Sequence, residues 1–294
     1  MNHRADPPRS ADYPAAYPAR MPGAVVRATF RLARLLAASA CCYAALLAVD
    51  TLAWLSPARF EPHRRPIALA WIRQLRKGIG QRVTTYGPVP RGQLFFVSNH
   101  VTWQDFLIQD LFPQGRLVAI DSLRVLPVLG RFFRALDYVF VSRHPEEVPR
   151  VNAEIRRRLA RGQSIMLAPE SVISPGRSIQ RFRAALLGSA AQDRFPVHYG
   201  AIHYHTPWGW PPPSQSVLFG PDPYYRTPEG EIPPAQLEMW GPPRPFLPHL
   251  LRLLSLPYHR LTLTLGKDPI IRDDRIVLAN ALHDAVSELF HPID

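Results

Sequence analysis

Residues 94–105 read LFFVSNHVTWQD. The first five are apolar or small, which is typical of a strand that is buried on both faces. The next seven place a histidine, His100, and a carboxylate, Asp105, where that strand would end and a helix would begin. Open α/β sheets bind their ligands at the carboxyl ends of strands. The stretch therefore predicts both an α/β fold and the edge of the sheet that carries a site.

The five-residue spacing of His100 and Asp105 sets a condition on their geometry. Five residues of ideal helix turn by about 500°, which leaves the two side chains roughly 140° apart. They can meet only if His100 lies in the turn before the helix. A carboxylate on one ring nitrogen would then fix the tautomer and leave the other nitrogen to act as a general base. A structural histidine is the alternative interpretation.

Further apolar runs extend the α/β pattern along the chain. We predict strands at residues 94–98, 116–120, 138–142, 164–168, 197–204 and 260–265. Val151, Ile155 and Leu159 mark one face of a helix between two of these strands, and Asp273 or Asp274 can cap a last helix. Thirteen prolines between residues 207 and 248 predict a long, mostly irregular insertion.

The N-terminal region differs from the rest in composition. Residues 1–20 are rich in proline and predict a disordered tail. Residues 21–58 predict a membrane-associated helix, because from residue 35 to 58 only Asp50 carries a charge. Six basic residues lie on each flank of this segment, so the flanking charges do not set an orientation. A single span and a helix lying in one leaflet both remain open, with a buried core helix as the alternative. Cys41 and Cys42 are expected to be buried as small hydrophobes in a reducing compartment.

The charge of the 294-residue chain limits its partners. Lys and Arg number 35 and Asp and Glu 23, which gives a net charge of +12. This favours phospholipid headgroups, nucleic acid or a phosphate-bearing substrate, and the apolar N-terminal helix makes headgroups the better candidate. Neither a phosphate-binding G-x-x-x-x-G-K-[ST] loop nor a G-x-S-x-G nucleophile motif occurs, so nucleotide hydrolysis and α/β-hydrolase chemistry lose their support.

Four blocks in order resemble the glycerolipid acyltransferases, the family of 1-acylglycerol-3-phosphate and lyso-ornithine lipid acyltransferases. The resemblance covers roughly residues 85–290 and rests on NHVTWQD at 99–105, YVFVSR at 138–143, PESVISPG at 169–176 followed by Phe182 and Arg183, and FPV at 195–197. Trp240 and His249 also stand where the lyso-ornithine lipid branch has similar residues. The family implies a mixed, largely parallel sheet flanked by helices, with residues 59–294 as the catalytic domain.

The resemblance also implies roles for single residues. His100 would be the general base and Asp105 its orienting partner, and Arg143 would bind the anionic group of the acceptor. The other residues expected to contact substrate are Asn99, Glu170, Ser171, Ser174, Gly176, Arg183 and Pro196. Four positions depart from the family pattern, since Ser171 and Val172 replace Gly-Thr, Ile120 stands where many members have lysine, and Asp137 where many have glycine.

The chemistry of acyl transfer agrees with this resemblance. It needs a base for the alcohol proton, hydrogen-bond donors for the oxyanion and a water-poor site, but neither a metal nor a redox cofactor. We expect acyl-CoA or acyl carrier protein as donor, a lysolipid as acceptor, and a location at the cytoplasmic membrane with the catalytic domain facing the cytoplasm. A catalytically weakened lipid-binding or scaffolding member is the alternative.

Two further groups of side chains have weaker functional interpretations. Arg177 and Arg181 could add positive charge near the site or simply be solvated. His198, His203 and His205 suggest a metal cluster, but residue 198 would face away from the other two in a strand, so we expect no metal.

Overall fold

The computed structural model describes residues 23–112, 114–142, 144–220, 231–240 and 245–293. The tail expected at residues 1–20 and the side chain of Arg143 lie outside the described residues.

Seven strands form one mixed sheet in the order β1-β7-β6-β2-β5-β3-β4. They are β1 (Gln81–Tyr86), β2 (Phe95–Ser98), β3 (Gly115–Ile120), β4 (Val139–Val141), β5 (Ser164–Leu167), β6 (Val197–His205) and β7 (His259–Leu265). Every pairing is parallel except that of β6 with β7. The predicted strands are confirmed, each end within one residue. β1 was not predicted, because it is an edge strand with a polar sequence and little burial.

Ten α-helices surround the sheet in the described part of the chain. They are α1 (Ala24–Leu55), α2 (Pro57–Phe60), α3 (Arg64–Gly78), α4 (Leu129–Ala135), α5 (Val148–Ala160), α6 (Gly188–Gln192), α7 (Pro213–Ser216), α8 (Pro234–Trp240), α9 (Phe246–Ser255) and α10 (Arg275–Leu289). The predicted face of α5 is confirmed, with Val151, Ile155 and Leu159 buried. Asp274 caps α10 by accepting from the amides of Ile276 and Val277.

The sheet separates two apolar clusters, and this explains why β2 has no polar face. Phe96 packs into the cluster beneath α1, α3 and α4, whereas Phe95 and Val97 point to the cluster beneath α5, α6 and α10. All three side chains are at most 1% exposed. Burial on both faces holds β2 at the middle of the sheet, and its carboxyl end delivers His100.

Helix α1 lies along the domain. Near its start, Arg31 donates to the carbonyls of Leu256 (2.6 Å) and Pro257 (2.8 Å), beyond the end of α9. Near its end, Asp50 accepts from Arg64 Nε at 2.7 Å and pairs with Arg131.

Only one narrow face of α1 contacts the domain. Its buried residues are Leu35, Leu46 and Ala53. The expected burial of both cysteines is therefore wrong: Cys42 is half-buried and Cys41 is exposed on the outer side. α1 is the one described helix that is long and apolar enough to cross a membrane.

The proline-rich insertion has more regular structure than expected. Its described part contains α7, α8 and the start of α9. α8 contacts the segment that follows β5, and α9 contacts the segment that follows β2. The insertion therefore forms one wall of the site described next.

Candidate active site

His100 and Asp105 meet as their spacing requires. His100 lies in the turn after β2, and Asp105 is in the first turn of a 3-10 helix, Trp103–Leu111. Nδ1 of His100 lies 2.7 Å from Oδ2 of Asp105. Because a carboxylate accepts, this contact places the hydrogen on Nδ1 and makes Nε2 the basic nitrogen. The His100 side chain is 29% exposed and that of Asp105 only 9%, so the histidine faces the open side of the pair.

Asp105 is held by more than the histidine. Its Oδ2 also accepts from the amides of Val101 (2.8 Å) and Thr102 (3.1 Å). Its Oδ1 accepts from the hydroxyl of Tyr204, at 2.8 Å, on β6. Tyr204 is fully buried, and burial together with the neighbouring carboxylate raises the pKa of its hydroxyl well above the ordinary value, so it stays a donor. No motif or spacing singles out Tyr204, which resembles one more apolar residue of a buried strand.

Glu170 joins the loop after β5 to the backbone of His100. One carboxyl oxygen accepts from the His100 amide at 2.7 Å, and the other accepts from the Gln180 amide at 2.8 Å. In return, the amide of Ser174 donates to the His100 carbonyl at 2.9 Å. Burial raises the pKa of Glu170 to about 8, against the opposing effect of the two amides. The side chain is 1% exposed and forms no ion pair with an arginine in the described residues. Its hydrogen bonds therefore tie the loop after β5 to the turn that carries His100.

Two of the departures from the family pattern keep a backbone conformation that favours glycine. Ser171 has φ of 58° and Asp137 has φ of 61°. For Asp137, ion pairs with Arg116 and Arg158, both at 2.9 Å, hold the residue in place. The Ser171 side chain makes only a long contact of 3.4 Å with the Pro169 carbonyl. This weak contact offsets little of the steric cost of the left-handed conformation.

Both polar groups of the Asn99 side chain form hydrogen bonds within the fold. Its amide oxygen accepts from the backbone amide of Ile202 at 2.6 Å, and its amide nitrogen donates to the carbonyl of the same residue at 3.0 Å. The side chain is 1% exposed. Asn99 thus fastens the turn that carries His100 onto β6, the strand that carries Tyr204.

Gly176 ends the loop under the C-terminal segment. The amide of Ile293 donates to the Gly176 carbonyl at 2.6 Å. Gly176 has φ of 72°, and a Cβ at this position would lie 2.7 Å from the Ile293 side chain, which is itself 2% exposed. Only glycine therefore fits between the loop and this segment.

A model of the acyltransferase family matches residues 81–199, which contain His100, Asp105 and the Glu170 loop. This part of the chain is similar to the acyltransferase family. A lyso-ornithine lipid O-acyltransferase of Pseudomonas aeruginosa is 25% identical over 203 residues, which cover 67% of this chain and 76% of that protein.

Two other known proteins are similar over different lengths. A 1-acyl-sn-glycerol-3-phosphate acyltransferase of Neisseria gonorrhoeae is 27% identical over 132 residues, or 45% of this chain and 52% of that protein. The crystal structure of the 1-acyl-sn-glycerophosphate acyltransferase PlsC from Thermotoga maritima aligns with 88% of this chain and 97% of its own, at a TM-score of 0.48 and 16% identity.

The proline-rich insertion covers the loop that carries Glu170. Trp240 Nε1 and Gln236 Nε2, both on α8, donate to the carbonyl of Ile173 at 3.0 and 2.9 Å. On α9, His249 Nε2 accepts from Trp103 Nε1 at 3.1 Å, beside the His100 turn. Burial lowers the pKa of His249 to about 4, so the ring stays neutral and keeps this acceptor.

The remaining candidate residues lie at or near the surface of the domain. Arg183 is exposed and touches the loop only through its amide, which donates to the Pro169 carbonyl at 2.9 Å. Arg177 and Arg181 are exposed as well, and Pro196 is half-buried. Their contacts with substrate stay predictions.

His203 and His205 share one side of β6, with ring centroids 4.1 Å apart. His203 Nδ1 donates to the carbonyl of His291 at 2.7 Å. In the described residues, no group of three potential ligands is arranged to hold a metal ion.

Proposed function

We propose that this acyltransferase moves a fatty acyl group from a thioester donor to the hydroxyl of a lysolipid. The observation that carries the proposal is the 2.7 Å contact between His100 Nδ1 and Asp105 Oδ2, which orients Nε2 as a base on the open side of the pair. The acceptor class follows the names of the relatives, which act on lyso-ornithine lipid or on 1-acyl-sn-glycerol-3-phosphate.

The reaction uses the histidine twice. Nε2 of His100 takes the proton of the acceptor hydroxyl while the oxygen of that hydroxyl attacks the thioester carbonyl. The tetrahedral intermediate collapses with cleavage of the carbon–sulfur bond, and the departing thiolate recovers the proton from the imidazolium. Asp105 stabilises the imidazolium formed in between, so neither a covalent acyl-enzyme nor a metal or redox cofactor is part of the proposal.

The loop that follows β5 is the proposed source of donors for the oxyanion, and Arg143 the proposed ligand of the acceptor's anionic group. The amides of Ser171 and Ser174 already donate to Ala168 and His100. The oxyanion would therefore need to use other amides of this loop. Acyl-CoA and acyl carrier protein are both candidate donors.

For the membrane, we propose that α1 lies in one leaflet rather than crossing the bilayer. The contacts of Arg31 and Asp50 are separated by 19 residues, about 28 Å of helix, and both join α1 to the catalytic domain. A spanning helix would need about 20 residues clear of the domain. Exposed apolar side chains on the outer side of α1, such as Phe30, Leu36 and Trp54, would enter the lipid. The expected side is the cytoplasmic one.

The test uses the purified full-length chain in mixed micelles. Lysophosphatidic acid and lyso-ornithine lipid are each offered with acyl-CoA and with acyl carrier protein, and product is followed by mass spectrometry. Wild-type protein should acylate at least one acceptor, and His100→Ala should lower kcat by about 10²- to 10⁴-fold while circular dichroism stays native. Equal turnover by folded His100→Ala would refute the mechanism and favour the lipid-binding or scaffolding alternative.

A further inference from the structure

A basic cavity of about 290 Å³ lies between the start of α1, the end of α3 and the strands β1 and β7. Half of its lining residues carry a positive charge, and none carries a negative charge. They are Arg31, Arg34, Lys77, Gly80, Gln81, Arg82, Pro257 and Tyr258. This cavity does not include His100, Asp105 or any residue of the Glu170 loop.

Two of the cations are fixed in place before any ligand arrives. The guanidinium of Arg31 crosses Gly80 so closely that a Cβ there would lie 2.6 Å from Arg31 Nη2. Carbonyl groups hold it in this position, at 2.6 Å for Leu256 and 2.8 Å for Pro257. The guanidinium of Arg82 lies over the Tyr258 ring, 4.0 Å from its centroid. Neither arrangement neutralises the charge.

The positive charge of the cavity is not balanced by nearby carboxylates. Within the part of the chain that the structure describes, Arg31, Arg34, Lys77 and Arg82 form no ion pair with Asp or Glu. Among the described residues, the Arg34 side chain hydrogen-bonds only to the neutral Gln74 oxygen, at 3.3 Å. Arg31 instead experiences the like charges of three other arginines. Adjacent Arg76, by contrast, is paired with Asp110 at 2.5 Å. Unbalanced cations around a cavity favour an anion.

The cavity opens at the same edge of the sheet as the active site. β6 and β7 are antiparallel, while β1 is parallel to β7 and β2 to β6. The amino end of β1, which bears Arg82, therefore lies at the edge where β2 ends and His100 follows. β1 and β2 are three strand spacings apart, or about 14 Å. Arg31 and Arg34 also stand on α1, the helix proposed to lie in the leaflet.

We propose that Arg34, Lys77 and Arg82, with the charge of Arg31 behind them, form a phosphate-binding site that is separate from the catalytic pair. The phosphate can come from an anionic phospholipid, which would hold the active-site edge of the sheet against the membrane. It can equally come from the coenzyme part of a thioester donor whose acyl group lies at His100. Both ligands present the same group to the cavity, and the guanidinium forks suit its oxygens.

The experiment compares two double variants of the full-length chain with the same loss of charge. Lys77→Gln/Arg82→Gln changes the cavity. Arg91→Gln/Arg161→Gln is the control, because both arginines are exposed and precede the amino ends of β2 and β5, at the opposite edge of the sheet. Binding is measured to vesicles of phosphatidylcholine with and without phosphatidylglycerol, and to free coenzyme A. Inorganic phosphate serves as competitor.

The cavity variant should lose on the order of tenfold in affinity for phosphatidylglycerol vesicles or for coenzyme A, while the control should lose less than twofold. The probe that is affected identifies the source of the phosphate. Equal losses in both variants, or no loss in either, would overturn the proposal. Lys77→Arg/Arg82→Lys keeps both positive charges and should bind the affected probe as wild type does. Retained binding in this variant would show that substitution at these two positions does not by itself disrupt the fold. His100→Ala should bind both probes normally, so this result is independent of the proposed acyl transfer.

Discussion

Tyr204 donates a hydrogen bond of 2.8 Å to the oxygen of Asp105 that His100 does not use. The carboxylate is thereby fixed from both sides, by a strand of the sheet and by the turn that carries the histidine. Its orientation does not depend on substrate, so in the proposed mechanism the base is aligned before the acceptor arrives.

Tyr204→Phe should lower kcat about tenfold with little change in KM. The variant leaves Oδ1 of a buried carboxylate without its donor, which allows the carboxylate to rotate away from His100. Tyr138→Phe is the matched control, since it removes another buried hydroxyl, one bonded to Gln109. Similar kcat in the two variants would show that Tyr204 serves stability alone.

Asp105→Asn should lower kcat by no more than His100→Ala does. The amide disturbs only the tautomer and orientation of the ring, whereas alanine removes the base. The double variant should be no slower than His100→Ala, because residues that act as a unit are not additive. Initial rates with a saturating acceptor measure this, and an additional loss in the double variant would assign Asp105 a separate role.

Ser171→Gly should raise the free energy of unfolding by up to about 1 kcal/mol. Glycine adopts a φ of 58° without the steric cost that serine carries, and the serine side chain has only the 3.4 Å contact to lose. Gly176→Ala should do the reverse, because its Cβ would collide with Ile293. Thermal unfolding of the two variants beside wild type decides the matter, and a lower melting temperature for Ser171→Gly contradicts the argument.

His259→Leu should reduce the loss of stability in acid. Burial lowers the pKa of His259 to about 3, and its ring nitrogens have no hydrogen-bond partner in the described residues. Between pH 6.5 and pH 3 the unfolded chain binds a proton here that the native protein does not, so native stability falls as the pH falls.

The stability difference between His259→Leu and wild type should therefore shift in favour of the variant, by about 1 kcal/mol per pH unit between pH 6 and pH 4. Urea unfolding at several pH values measures the slope. His63→Leu, at an exposed position, should give no such slope. A variant whose difference from wild type is independent of pH would mean that His259 is charged in the native state or has found a partner.

Local sequence determined the parts of this protein that depend on near neighbours. The apolar run at residues 94–98 fixes a strand buried on both faces, and the spacing of His100 and Asp105 fixes a turn in which a carboxylate reaches a ring nitrogen. Asp274 caps α10 through amides two and three residues away. Such contacts close short loops at little entropic cost, so the local pattern is enough to specify them.

The tertiary structure alone decided which distant groups complete the site. Tyr204 reaches Asp105 from 99 residues away, because β6 pairs with β2. Ile293 reaches Gly176 only after α10 has packed on the sheet, and Arg31 gathers with Lys77 and Arg82 only once α1 has docked. None of these pairs is marked by periodicity or spacing, since each depends on the register and packing of elements far apart in the chain.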